Sequence, residues 1–164
     1  MVKYIIDANI LIQAYRKHYA MDVFISFWMA IKHLAESNAI ISIDKVQGEI
    51  VPNKDTLTQW CAQQLPKNFF IDTAPFIREY SNVINHVVGL KKYTSNAISE
   101  FSSEDEADAF LVATALSSTT DYIIVTEEVG SQSPNKIKIP DVCLLFGIKC
   151  IDTITMFREL KISI

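Results

Sequence analysis

Lys3-Tyr4-Ile5-Ile6-Asp7-Ala8-Asn9-Ile10-Leu11 decides the fold: a short apolar run ends directly on an aspartate, and apolar residues resume just beyond it. The pattern predicts a buried strand over Lys3 to Ile6 with Asp7 at its carboxyl end, the place where loops of an open parallel sheet gather ligands. Three further acids repeat the arrangement. Glu49 comes shortly after the apolar run Ala39 to Ile43, Asp108 stands near the start of an apolar helix, and Glu128 lies just past the strand Tyr122 to Thr126. A carboxylate at the edge of a hydrophobic element is costly to desolvate unless something positive meets it, and converging carboxylates repel unless a cation joins them. Together the four acids predict a divalent-metal site.

Working outward, strands alternate with helices and short loops, which predicts a parallel sheet covered on both faces. The expected fold is α/β, a three-layer α/β/α sandwich with a central, mostly parallel sheet of four to five strands. Ala39 to Ile43, Asn68 to Ile71, Tyr122 to Thr126 and Lys149 to Ile151 read as further strands, with Lys136 to Ile139 another short candidate. Helical spacing of apolar residues marks Asn9 to His18 and Asp22 to Glu36. Asp44 with Gln47, and Ser103 with Glu106, have the form of capping boxes opening two more helices, the second running to about Ser117. Thr56 to Gln64, Pro75 to Val88 closed by Gly89, Asp141 to Phe146 stopped by Gly147, and Thr153 to Leu160 complete the helices. Leu90 to Phe101 gives no readable pattern.

The totals bound the function. At 164 residues and 49% hydrophobic content, residues 1–164 are expected to form one domain with a substantial core. No segment is apolar for long enough to span a bilayer, so no membrane partner is expected. Met1 to Tyr4 carry no signal-peptide pattern. Cys61, Cys143 and Cys150 form no CxxC pair and read as reduced core thiols, which places the chain in the cytoplasm. A net charge of -4 argues against holding duplex DNA by bulk electrostatics. Arg16-Lys17-His18 and Lys91-Lys92 can touch phosphates or simply be solvated surface.

Each acid has a plain structural alternative. Asp7 can cap the following helix, although Asn9 is placed to serve as the cap or to orient the carboxylate. Asp108 opens a helical face continued by Leu111, Val112, Ala115 and Leu116, so it needs a partner, either a metal or a buried Lys or Arg. Glu49 borders an apolar face, and either Glu127 or Glu128 can point inward. Glu104, Asp105, Asp44 and Asp141 are better explained as helix-start residues. Carboxylates without His or Cys ligands suit a hard cation, Mg2+ or Mn2+, better than zinc. His18, His33 and His86 show no metal spacing, and no phosphate loop or GxSxG elbow is present.

Ile5-Ile6-Asp7-Ala8-Asn9-Ile10-Leu11, Val46-Gln47-Gly48-Glu49-Ile50, Asp108-Ala109-Phe110-Leu111-Val112-Ala113-Thr114-Ala115 and Ile124-Val125-Thr126-Glu127-Glu128 resemble, in order and spacing, the PIN domain family, most of whose members are metal-dependent ribonucleases. The resemblance covers nearly the whole chain. It implies that Asp7, Glu49 and Asp108 bind metal, with Asn9 and Thr126 as supporting polar residues. Where the family usually places Asp or Asn, two residues after the strand-end threonine, this chain has Glu128. Lys138-Ile139-Pro140-Asp141-Val142-Cys143 is also similar to an uncharacterised prokaryotic PIN-like subfamily whose members resemble toxins of toxin-antitoxin pairs.

The expectation is therefore a Mg2+- or Mn2+-dependent endoribonuclease acting on RNA through Asp7, Glu49, Asp108 and Glu128. A toxin-like role implies an antitoxin protein, and a homodimer through helices near Tyr15 to Trp28. The alternative is a binding module of the same fold with incomplete metal ligation, motivated by Glu128 and the acidic pI of about 5.3. A receiver domain would want paired acids before Asp7, where Tyr4-Ile5-Ile6 stands. An aspartyl phosphatase would want a second aspartate where Asn9 is.

Overall fold

A computed structural model describes residues 2–117 and 121–164. β1 (Lys3–Ile6) leads into α1 (Ala8–Gln13), which widens into a π-helical turn over Ala14–His18, and then α2 (Ile25–Glu36). β2 (Ile40–Ile43) is followed by α3 (Asp44–Ile50), a 3-10 turn at Val51–Asn53, and α4 (Thr56–Gln64). β3 (Phe70–Ile71) precedes α5 (Ile77–Gly89), α6 (Ser95–Phe101) and α7 (Asp108–Ser117). β4 (Tyr122–Val125), α8 (Ile139–Phe146), β5 (Cys150–Ile151) and α9 (Thr153–Glu159) end the chain.

The five strands form one sheet in the order β3-β2-β1-β4-β5, every neighbouring pair parallel, with helices on both sides. The expected three-layer α/β/α architecture is the observed one. Parallel strands require crossovers, and right-handed crossovers that run in opposite directions across the sheet, β1 to β2 to β3 and then β3 to β4 to β5, cover opposite faces. Phe27 of α2 accordingly meets Phe157 of α9, while Tyr80 of α5 stacks on Phe110 of α7. The three interior strands, β2, β1 and β4, are buried on both faces and therefore read as largely continuous apolar runs. Ile5, Ile6, Ile40, Ile43, Ile124 and Leu111 are among the largest fully buried side chains. Ser42 sits in the same layer, and its hydroxyl donates to the Ile6 carbonyl at 2.7 Å, so no polar atom is stranded there.

Several local expectations change. α7 starts at Asp108 rather than Ser103: the Ser103 carbonyl accepts Glu106 N in a turn, so the acids of Ser103-Glu104-Asp105-Glu106 precede the helix. Asp44 makes no capping box either; its carboxylate accepts the Thr73 hydroxyl at 2.7 Å, tying the start of α3 to the exit of β3. The unreadable stretch contains α6, whose cap, Thr94, accepts Ala97 N at 3.2 Å. Gly89 is the last residue of α5 rather than its terminator, and the left-handed position is Lys91 with φ of 52°. Lys136 to Ile139 forms no strand, because Ile139 already opens α8. Gly147, at φ of 67°, ends α8 as expected. The three cysteines are free thiols. Among the described residues no helix is long and apolar enough to cross a membrane.

Candidate functional site

The sheet register builds the centre of the site. Ile6 pairs with Val125, so the next residues, Asp7 and Thr126, leave adjacent strands side by side. The strand order reverses between these two parallel strands, β2 and β3 lying to one side of β1 and β4 and β5 to the other, and the crevice outside such a switch point is where open α/β sheets bind ligands. The Thr126 hydroxyl donates to Asp7 Oδ2 at 2.8 Å, and Asn9 Nδ2 donates to Thr126 Oγ1 at 3.0 Å. Asn9 Oδ1 in turn accepts Glu127 N at 3.1 Å, so Asn9 fixes the loop after β4 and orients Thr126. Asp7 also caps α1, its Oδ1 accepting Ala8 N at 2.6 Å. Capping and facing the site, posed as alternatives on sequence, coexist in one buried carboxylate.

Glu49 comes from the last turn of α3 and reaches toward α7. Its Oε1 accepts Ala107 N at 3.3 Å, one residue before Asp108. Asp108 is the first residue of α7, followed by the fully buried Ala109, Leu111 and Val112 that anchor the helix in the core. Neither acid is fully sealed; both are half-buried.

Electrostatics tie the three acids together. Burial pushes Asp7 up to about 7, partly opposed by the Thr126 hydrogen bond and reinforced by the charges of Glu49 and Glu128. Burial likewise pushes Glu49 up to about 7 against the Ala107 hydrogen bond, with Asp108 and Glu106 adding to the rise. Asp108 is also raised to about 7 by burial, then by Asp7, Glu128 and Glu106, with Lys138 pulling the other way. Each acid is thus destabilised by the others' negative charge. Among the described residues no Lys or Arg forms an ion pair with Asp7, Glu49 or Asp108.

Glu128 faces the same region but is already engaged. Lys138 Nζ donates to its Oε1 and Ile139 N, at the start of α8, to its Oε2, both at 3.0 Å. Glu127 points elsewhere, its Oε1 accepting both the backbone N–H and the hydroxyl of Thr153 where α9 begins. Asp141 closes the intervening loop by accepting Ser131 N at 2.9 Å.

The donor set suits a hard divalent cation: carboxylate oxygens, a neighbouring hydroxyl, and charge that lacks a basic partner. Its closure is incomplete. Among the described residues no three His, Cys, Asp or Glu side chains gather tightly enough to hold an ion as they stand. An ion here would require the carboxylates to swing together.

Two residues escaped the sequence reading. Lys138 lies in the alternating run Lys136-Ile137-Lys138-Ile139, which reads as a short strand, so nothing in its context points to Glu128. Glu106 was absorbed into a capping pattern, yet its charge acts on Glu49 and Asp108.

A family model described as a domain of unknown function, DUF4411, matches residues 4–164. The chain belongs to this family. No curated protein matches it. The DUF4411 fold is similar to a chain in the crystal structure of VapBC2 from Rickettsia felis bound to a DNA fragment from their promoter. That likeness has a TM-score of 0.53 at 15% identity and covers 93% of this chain and 98% of that one. It shows that this DUF4411 chain shares the α/β/α fold of that chain.

Proposed function

We propose that the protein is a metal-dependent endoribonuclease in which Asp7, Glu49 and Asp108 hold Mg2+ or Mn2+, with Glu128 as the fourth acid of the site. The observation that carries this reading is the placement of three carboxylates, each raised to about 7 by burial and by like charge, at the carboxyl edge of a parallel sheet. Such a set is costly to ionise alone and becomes favourable when a cation neutralises it. The resemblance of the four acidic segments to PIN domains supplies the chemistry; the fold likeness supplies only the scaffold.

When bound, the ion would acidify a water and polarise a phosphodiester oxygen. The chain's own residues prepare the place. Thr126, held by Asn9, presents its hydroxyl to Asp7 Oδ2 and fixes the plane of that carboxylate. Glu49 ties α3 to the residue before Asp108, so the two acids are positioned through one hydrogen bond. Glu128 is neutralised by Lys138 and would have to loosen that grip before binding metal.

The engaged Glu128 and the open arrangement of the other acids favour one alternative, a binding module with weak or no catalysis. The toxin-like form of the proposal adds an antitoxin and a homodimer, either of which would cover the exposed Val23, Phe24, Ile25 and Met29 around the start of α2. A cytoplasmic location belongs to the same proposal. The test is incubation of purified protein with transfer, messenger and ribosomal RNA in Mn2+, Mg2+ or chelator. Cutting that needs metal and disappears in Asp7→Asn and Asp108→Asn is expected; RNA binding without cutting would select the binding module.

A further inference from the structure

A phosphodiester approaching three carboxylates meets strong repulsion unless fixed positive charge guides it, and the chain as a whole carries -4. Fixed cations do stand beside the acids, on the loop between β4 and α8. Lys136 is exposed, Ile137 buried, Lys138 half-buried and Ile139 buried, and Lys138 has extended backbone angles of -107° and 141°. That alternation sets the two lysines on one side of the segment, roughly 7 Å apart along it.

Their hydrogen-bonding capacity is largely unspent. Lys138 makes one side-chain hydrogen bond among the described residues, to Glu128, so two of its three N–H donors stay available. The Glu128 carboxylate, anchored in turn by Ile139 N, holds the lysine stem in place, which lowers the ordering cost of a second contact. Lys136 forms no ion pair among the described residues, although it shares a polar cavity of about 210 Å³ with Glu100, Glu106 and Asp108. The exposed Lys136 ammonium is not locked into an ion pair among the described residues and can turn out of the cavity toward an external anion.

The backbone extends the track. Thr94 N donates to the Pro134 carbonyl at 2.9 Å, joining the loop before α6 to the loop that carries Lys136. Lys91 and Lys92, the basic pair noted in the sequence, are three and two residues from that junction. Four cations on two joined loops match an extended polyanion better than one small anion.

We infer that Lys136 and Lys138 bind successive phosphates of single-stranded RNA and hold the strand beside Asp108, with Lys91 and Lys92 prolonging the contact; this rests on the nuclease reading. In the metal-free protein Glu128 aims Lys138.

The test separates binding from cutting. Anisotropy of a fluorescent, mixed-sequence RNA of roughly 20 nucleotides is followed in chelator as KCl rises from about 50 to 200 mM. For the variant carrying Lys136→Met and Lys138→Met, affinity is expected to fall at least about tenfold and the salt slope to shrink by about 1.4, two single-strand contacts' worth. The Arg counterparts at both positions should restore binding, and Lys161→Met, at the far end of the chain, should bind as wild type. Thermal melting establishes that each variant is folded. Wild-type cleavage in Mn2+ is measured alongside. Wild type that cuts while the double Met variant binds RNA with unchanged affinity and slope overturns the inference and leaves the nuclease standing. RNA binding that depends on both lysines, without cutting by wild type in any metal, upholds the inference and removes the nuclease. Absence of RNA binding by wild type overturns the inference.

Discussion

Asp7 accepts Ala8 N, accepts the Thr126 hydroxyl and faces the charges of Glu49 and Glu128. Two of these relations favour its ionised form and two oppose it, while burial opposes it most. Removing the favourable Thr126 bond by Thr126→Val should therefore move the Asp7 titration above about 7, read by carboxyl NMR in chelator; an unmoved midpoint would show that the bond does not act on the carboxylate. The folded-state value lies above the ordinary 3.8, so the folded chain keeps a proton that the unfolded chain loses. Stability in chelator should fall as pH rises from about 4 to about 7 and level off above, with Asp7 contributing up to about 4 kcal/mol of that loss. Asp7→Asn should flatten this slope and stabilise the metal-free protein at pH 8. Urea unfolding across the range checks both expectations, and a stability that climbs through this window would refute them.

At the scale of elements, the loop between β4 and α8 brings Glu128 and Lys138 together. Its tightest point is Gly130, where an added Cβ would stand 2.7 Å from Asp141 Oδ1, on the carboxylate that accepts Ser131 N. Gly130→Ala should push the Asp141 carboxylate aside and cost about 0.5–1.5 kcal/mol in urea unfolding, the worth of its bond from Ser131 N; an unchanged midpoint would mean the loop yields freely. The parallel sheet was legible because buried strands such as Tyr4-Ile5-Ile6 and Ile123-Ile124-Val125 read as unbroken apolar runs. Asp7, Glu49 and Asp108 were visible because each borders such a run. What sequence could not show was long-range. Asp44 reaches Thr73 as well as Lys45 N at its own helix start, and Glu128 meets a lysine ten residues on, in a segment that reads as a strand. The start of α7 was missed for a related reason: Ser103-Glu104-Asp105-Glu106 has the composition of a helix opening, but its backbone closes a turn.

For the whole molecule, the proposed metal site would make folding and metal binding one linked equilibrium. Protons and cations would compete for the same carboxylates, so Mn2+ should raise the melting temperature more at pH 8 than at pH 5. Equal shifts at the two pH values would place the ion away from these acids. The most direct measurement is calorimetric titration of the metal-free chain with Mn2+ near pH 7, repeated in buffers of different ionisation enthalpy. The account predicts binding with net release of about one proton, as a metal displaces protons from acids that titrate near 7, and at least tenfold weaker binding in Asp7→Asn and Asp108→Asn. Absence of Mn2+ binding, or binding that both variants keep without proton release, would contradict it.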